Sequence, residues 1–186
     1  MPDSDSPATT PTPRVAVLRT RPESVLEDYA RLLDLLDYRR HLDPEATTLL
    51  KLNLSWTKYF PACSSQPWQL EGVAQKLLKD GMPADRLLPI ENKTVVTDPR
   101  KGARFNKWMP ILEACGLPFQ PLTEVEWTVH TFQQPLLKLD QIFPEGIQIP
   151  KIYAGTNIVH LPTLKTHGHS ITTLSLIHIS SPRDRS

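Results

Sequence analysis

The alternation of short apolar strand patterns with amphipathic helical patterns is the feature that most constrains the fold. Strand patterns occur at Thr48–Leu54, Arg86–Ile90, Thr123–Phe132 (the clearest alternation) and Thr156–Leu161, and stretches with apolar residues every three or four positions lie between several of them. Strands that alternate with helices favour a mainly parallel sheet, because each parallel connection needs a long crossover. We therefore expect an α/β fold, Rossmann-like with three layers, in which helices flank a mainly parallel sheet.

Local composition sets the expected boundaries of the domain. Residues 1–13, MPDSDSPATTPTP, are rich in Ser, Thr, Pro and Asp, which is typical of a disordered tail. Ordered structure is expected to begin with a strand at Arg14–Leu18 and to continue as a single α/β domain over residues 14–173. A chain of 186 residues with 39% hydrophobic residues is long enough to bury one core.

Charge and cysteine usage limit the compartment and the partners. A net charge of +1 argues against an overall electrostatic grip on nucleic acid. No apolar run approaches the roughly 20 residues of a membrane-spanning helix, and the N-terminus lacks the pattern of a secretory signal. Cys63 and Cys115 are isolated, which fits reduced thiols. We expect a cytoplasmic protein without a membrane or nucleic-acid partner, and both its protein partner and its cofactor are unknown.

The strand pattern Thr48–Leu54 carries polar residues on one side. Its leucines at even positions share one face, while Lys51 and Asn53 share the other. A buried lysine without a partner is costly, so we expect this face to form a polar cleft or to let the lysine reach water. Two interpretations stay open: Lys51 pairs with an acid such as Glu91 and contacts a ligand oxygen, or the pair is a structural salt bridge.

Polar residues follow three of the predicted strands at their carboxyl ends. Asn53 ends one strand, Glu91 and Lys93 follow the next, and Lys165 and His167 follow the last. In parallel α/β sheets, ligands bind outside the carboxyl ends of the strands. The three segments therefore predict a site for a small molecule at one rim of the sheet.

The segment KTHGH at residues 165–169 allows two kinds of chemistry. Lys165 as a point charge, with His167 as hydrogen-bond donor or acid–base group, would bind an anion. His167 and His169 could instead bind a metal, but no Cys, Asp or Glu stands beside them at a recognised spacing. We favour the anion and predict no metal site.

The segment Lys93–Lys107 gathers basic residues with Asp98 as its one acid. We interpret it as a loop as far as Arg104, in which Gly102 permits unusual backbone angles. Arg100 could grip a phosphate or carboxylate there, whereas the simpler interpretation is a solvated basic loop.

Two segments, LKLNLSW at Leu50–Trp56 and PTLKTHGHS at Pro162–Ser170, together resemble the family known as domain of unknown function (DUF) 362. That family shows a Lys-x-Asn strand near its start and a Lys-x-His segment after a later strand, and the resemblance covers roughly Val15–Ser170. It implies no agreed activity. Some members carry iron–sulfur segments, for which this chain lacks the cysteines. The resemblance implies four site residues: Lys51, Asn53, Lys165 and His167.

The chain departs from the family pattern after Ser170. The pattern continues with Thr-Gly-Ala and a later Lys-Asn, whereas this chain reads ITTLSLIHISSPRDRS. Residues 174–186 look like a translated sequencing adapter. We therefore expect an α/β domain that is incomplete at the C-terminus, followed by a non-native tail. A natural stop codon directly after Ser186 in the genomic locus would contradict this hypothesis.

Together these patterns favour a domain that binds an anionic small molecule, bearing phosphate or carboxylate, at the strand ends. His167 and Lys165 are the candidate catalytic residues. The alternative is a metal-handling or iron–sulfur/redox accessory protein without catalysis of its own. A third interpretation is a protein-interaction module that uses the basic segment and exposed tryptophans. The candidate ligand-binding residues are Lys51, Asn53, Glu91, Lys93 and Arg100.

Overall fold

The computed structural model describes residues 14–135, 137–166 and 172–173. The predicted tail at residues 1–13 and the predicted non-native tail at 174–186 lie outside this part of the chain. The strands are β1 (Thr48–Lys51), β2 (Leu87–Glu91), β3 (Gln120–Pro121), β4 (Trp127–His130), β5 (Ile147–Pro150), β6 (Asn157–His160), β7 (Lys165–Thr166) and β8 (Thr172–Thr173). The α-helices are α1 (Val25–Leu35), α2 (Pro67–Lys79), α3 (Pro99–Phe105), α4 (Trp108–Cys115) and α5 (Leu139–Ile142). Short 3-10 helices span Tyr38–His41, Ala84–Arg86, Leu122–Glu124 and Lys151–Tyr153.

A four-stranded parallel sheet in the order β3–β2–β1–β6 forms the centre of the fold. Strand β1 lies inside it, with Lys51 opposite Ile90 of β2 and His160 of β6. Strands β4 and β5 form a separate antiparallel ribbon, and β7 pairs with β8. The predicted α/β class, with a parallel sheet flanked by helices, is confirmed.

The two faces of the sheet bury different layers. On one face, Leu50 of β1 and Leu52 just after it pack in one cluster with α2, α3 and α4, and α1 borders it. On the other face, Leu49 and Ile90 pack with Leu122 and with partly buried residues of the β4 and 3-10 segments. This division follows from the alternation of side chains along β1, which the leucine pattern predicts.

Pro89 lies within an internal strand, because β2 is flanked by β1 and β3. A proline in a central strand removes a ladder hydrogen bond. Strand β3, however, pairs only with Ile90 and Glu91 of β2. On the β3 side, Pro89 therefore precedes the paired stretch and has no partner strand, so its position there is like that in an edge strand.

Two local expectations are wrong. Residues Arg14–Leu18 form no strand, and Val15 and Val17 are exposed. Apolar residues favour a strand only where a neighbouring strand can pair with them. The predicted loop up to Arg104 contains α3, whose start is capped by the Asp98 side chain accepting a hydrogen bond from Lys101 N at 2.8 Å.

Gly102 serves the packing of α3 rather than an unusual backbone angle. A Cβ atom at this position would lie 2.4 Å from Cδ2 of the buried Leu54, so a side chain at residue 102 would force Leu54 or the helix to move. Among the described residues, no helix is long and apolar enough to cross a membrane.

Candidate functional site

The carboxyl ends of β2, β1 and β6 lie side by side, and the chain continues the sheet pairing for one residue beyond two of them. Leu52 N donates to Ile90 O at 3.0 Å, and Leu161 N donates to Lys51 O at 2.9 Å. The segments that follow these strands therefore begin next to one another, as the strand-end rule predicts.

Lys51 and Glu91 form a buried ion pair at this rim. Lys51 Nζ lies 2.5 Å from Glu91 Oε1, and the side chains are 1% and 3% exposed. The ammonium also donates to Leu52 O at 2.6 Å. The predicted pairing is confirmed, whereas the expectation that Lys51 lines an open cleft or reaches water is wrong, because the side chain is enclosed.

The Glu91 carboxylate accepts three hydrogen bonds. Besides Lys51, Leu54 N donates to Oε2 at 2.6 Å and Asn92 N donates to Oε1 at 2.7 Å. Burial raises the pKa of Glu91, and Lys51 and the two N–H groups oppose that shift. The carboxylate therefore ties the end of β2 to the chain that leaves β1.

Two buried serines hold the chain beyond β1. Ser65 Oγ accepts from Asn53 N at 2.7 Å and donates to Leu161 O at 2.5 Å, while Ser64 Oγ accepts from Ser55 N at 3.2 Å. We expect these serines from the sequence to cap α2, but its N-cap is Gln66 without a side-chain cap bond. Their hydroxyls instead satisfy backbone groups of the rim.

Lys165 reaches across the rim to Asn53. Its Nζ donates to Asn53 Oδ1 at 2.5 Å and to Thr163 O at 3.2 Å. Asn53 is buried and Lys165 is half-buried. Burial lowers the pKa of Lys165, and Cys63 and Glu91 act in the opposite direction. The structure thus brings together two predicted site residues that are 112 positions apart in the sequence.

The other predicted basic residues occupy different surroundings. Lys93 follows β2 and is exposed, and its backbone N–H donates to Asn92 Oδ1 at 2.8 Å. Arg100 lies in α3, where its Nε donates to Glu124 Oε1 at 2.5 Å on the surface. Lys93 therefore lies close to the rim, two residues after Glu91. Arg100 instead forms an ion pair with Glu124, outside the rim.

The two predicted loop histidines, His167 and His169, lie outside the described residues. His160 of β6 is described: it is half-buried and opposite Lys51 in the sheet. Burial lowers the pKa of His160, and the charge of Lys51 lowers it further. Within the described part of the chain, no group of three or more His, Cys, Asp or Glu could hold a metal ion.

Sequence reasoning missed the role of Ser65 at the rim and did not single out Tyr153 nearby. Ser65 also binds α4, since its carbonyl accepts from Trp108 Nε1 at 2.8 Å. The Tyr153 hydroxyl is buried with no hydrogen-bond partner among the described residues, and burial, with Glu91, raises its pKa. No sequence pattern marks Tyr153. The Ser64–Ser65 pair, which follows a polar strand end, could have indicated that serine hydroxyls bond to nearby backbone groups.

Comparison with known proteins identifies the family. Searches of curated proteins and of solved structures found no match. A family model described as "Domain of unknown function (DUF362)" matches residues 48–180. The match includes Lys51 and Lys165. It also extends into the segment 174–186, whose interpretation as a non-native tail stays a prediction. Because the matched residues are well over half of the sequence, the chain belongs to the DUF362 family.

Proposed function

We propose that the protein binds an anionic small molecule, bearing a phosphate or a carboxylate, at the carboxyl ends of β1 and β6. The observation that carries this proposal is the half-buried Lys165 ammonium on Asn53 Oδ1, at 2.5 Å. A partly desolvated ammonium interacts more strongly with an anion than one fully in water. Asn53 is itself fixed by hydrogen bonds of its backbone to Ser65, so it orients the lysine in advance.

The rim residues have separate roles in this proposal. Lys165 supplies the charge, Asn53 orients it, and Lys93 is a second cation at the rim. Lys51 and Glu91 are enclosed, so in this proposal they stabilise the rim and do not contact the ligand. His167 is the proposed proton-transfer group, on the basis of its position in the KTHGH segment. Arg100 is left out, since Glu124 engages it.

Calorimetric titration of the full chain with inorganic phosphate and with citrate tests the proposal. We expect saturable binding of at least one of them, and a loss of affinity of about tenfold or more in Lys165→Met, because a charge-assisted hydrogen bond is lost. Lys79→Met is the matched control, since Lys79 is exposed on α2. Absence of binding to both anions, or equal losses in the two variants, would contradict the proposal.

The alternative function is a metal-handling or redox accessory role for His167 and His169. No observation on the described residues favours it over anion binding. Metal analysis of the full chain and of His167→Ala/His169→Ala separates the two functions. Stoichiometric metal that the double variant loses would support the alternative and count against the anion.

The proposal places the protein in the cytoplasm and assigns it no nucleic-acid partner. Cys63 and Cys115 are both free thiols, which fits a reducing compartment. The net charge of +1 gives no overall attraction to a polyanion.

A further inference from the structure

One surface beside the rim combines exposed apolar and basic side chains. We call it the basic–apolar face. It comprises the loop 55–60 and the segment 93–107, which contains the turn 94–97 and α3. Its exposed apolar residues are Trp56, Phe60, Val95, Val96 and Phe105. Its exposed basic residues are Lys58, Lys93, Lys101, Arg104 and Lys107.

Hydrogen bonds join these segments into one surface. Asp98 N donates to Thr57 Oγ1 at 3.0 Å, which connects the turn to the loop. Asn106 Nδ2 donates to Thr57 O at 3.2 Å, which connects the loop to the end of α3. Lys107 Nζ lies 5.5 Å from the centre of the Tyr59 ring. These contacts hold the loop, the turn and the end of α3 next to one another.

The turn 94–97 of the face, which we call the valine tip, is closed by hydrogen bonds between Thr94 and Thr97. Thr94 and Thr97 form an isolated bridge, and Thr94 N donates to Thr97 Oγ1 at 2.8 Å. The turn between them presents Val95, 81% exposed, and Val96, 54% exposed. Side chains exposed to this degree contribute little to the stability of the isolated fold. A turn that is closed by its own hydrogen bonds loses less entropy when a partner binds.

The charge of the face differs from that of the chain as a whole. Its segments, residues 55–60 and 93–107, contain six of the 21 basic residues and one of the 20 acidic residues. The remaining chain is therefore acidic on balance, although the total charge is +1. Of the six, only Arg100 and Lys101 form ion pairs among the described residues, with Glu124 and with Asp98.

We infer that the basic–apolar face docks an acidic protein segment that also carries apolar side chains. The basic residues match its carboxylates, and the valine tip with the aromatic residues matches its apolar side chains. Valine side chains gain little from a phosphate backbone, so a protein fits this face better than nucleic acid does. The inference stands on different residues from the anion site, apart from Lys93 at their border.

Fluorescence anisotropy of the full chain with a labelled peptide of alternating Glu and Leu residues tests the inference. An all-Glu peptide of equal length measures the electrostatic part alone. We expect the Glu–Leu peptide to bind more tightly than the all-Glu peptide. Lys58→Glu/Arg104→Glu should weaken its binding by about tenfold or more, because two attractive charges become repulsive.

The apolar part is tested by Val95→Ser/Val96→Ser, for which we expect about fivefold weaker binding. The chain offers matched controls: Val15→Ser/Val17→Ser changes two other exposed valines, and Arg19→Glu/Lys79→Glu changes two other exposed cations. Both controls should bind nearly as the unmodified chain does. Thermal unfolding of each variant confirms that it is folded before binding is compared.

Three outcomes would overturn the inference. The first is no saturable binding of the Glu–Leu peptide up to millimolar concentration. The second is an equal loss in the face variants and in their controls. The third is tighter binding to duplex DNA or to phosphatidylserine vesicles than to the peptide, which would assign the face to another class of partner. Phosphate binding is measured separately, so either proposal can fail alone.

Discussion

Two lysines at the same rim differ in what surrounds them. Lys51 is enclosed, and its ammonium contacts the carboxylate of Glu91. Lys165 is half-buried, and among the described residues its ammonium donates to two neutral oxygens, those of Asn53 and Thr163. The first charge is compensated within the fold. The second is oriented but forms no ion pair among the described residues, and in the proposed function its charge is available to a ligand.

The comparison separates stability from binding. Removing one partner of a buried ion pair leaves the other charge without compensation, which is strongly destabilising. Removing a half-exposed lysine that contacts neutral groups leaves no buried charge behind. Substitutions of Lys51 should therefore change the free energy of unfolding, and substitutions of Lys165 should change ligand affinity.

The largest expected effect is that of breaking the buried pair. Lys51→Met should lower the free energy of unfolding by about 3–5 kcal/mol, because the Glu91 carboxylate remains buried without its cation. Urea denaturation followed by circular dichroism measures this. The double variant Lys51→Met/Glu91→Leu should be clearly more stable than Lys51→Met. A loss below about 1 kcal/mol in Lys51→Met would mean that the pair does not stabilise this rim.

Replacement by arginine compares the space around each lysine. Lys51→Arg should cost about 1–3 kcal/mol, since a larger planar cation does not fit an enclosed, filled position. Lys165→Arg should change the free energy of unfolding by less than about 0.5 kcal/mol, because the side chain is partly open to solvent. Equal costs for the two variants in urea denaturation would remove the proposed distinction.

The pH dependence of anion affinity tests the charge state of Lys165. The ammonium is the binding form, so affinity should fall as the pH rises through the pKa of Lys165. Burial lowers that pKa, and the decline should therefore begin at a lower pH than for an exposed lysine. Titration calorimetry with sulfate, whose charge is constant over this range, measures the effect. In Lys165→Arg the decline should disappear, because the guanidinium stays charged.

The smallest expected effect is that of Lys51 on its neighbour in the sheet. Burial and the Lys51 charge both lower the pKa of His160. In Lys51→Met/Glu91→Leu the contribution of the charge is lost and that of burial remains. We expect the pKa of His160, followed by NMR titration, to rise towards that of an exposed histidine without reaching it. An unchanged pKa would contradict a contribution of the Lys51 charge to the titration of His160.

Much of the framework can be predicted from local pattern. The leucine alternation in β1 predicts which side chains meet the helices, and the polar residues on the other face require a partner such as Glu91. The parallel order then places the strand ends together. The contact between Lys165 and Asn53 cannot be read from local pattern, because it depends on how a late segment crosses the rim.

The errors have physical causes that can be identified. Helix α3 is not predicted, because a glycine among basic residues is typical of a loop. Asp98-Pro99 is nevertheless a pattern that often begins a helix. The Arg14–Leu18 strand had the right residues and no partner strand. Ser64 and Ser65 have the right residue type for caps, but unsatisfied backbone groups of the rim compete for their hydroxyls.

The position of β1 between β2 and β6 has a consequence for synthesis of the chain on the ribosome. Strand β2 follows β1 closely, whereas the register pairs Thr48 with Asn157, more than a hundred residues later. At about 5–20 residues per second, one side of β1 stays without its neighbour for roughly 5–20 seconds. During that interval, its unpaired backbone groups can pair with another nascent chain. Slower translation between β2 and β6 should therefore increase aggregation, whereas slower translation after β6 should not.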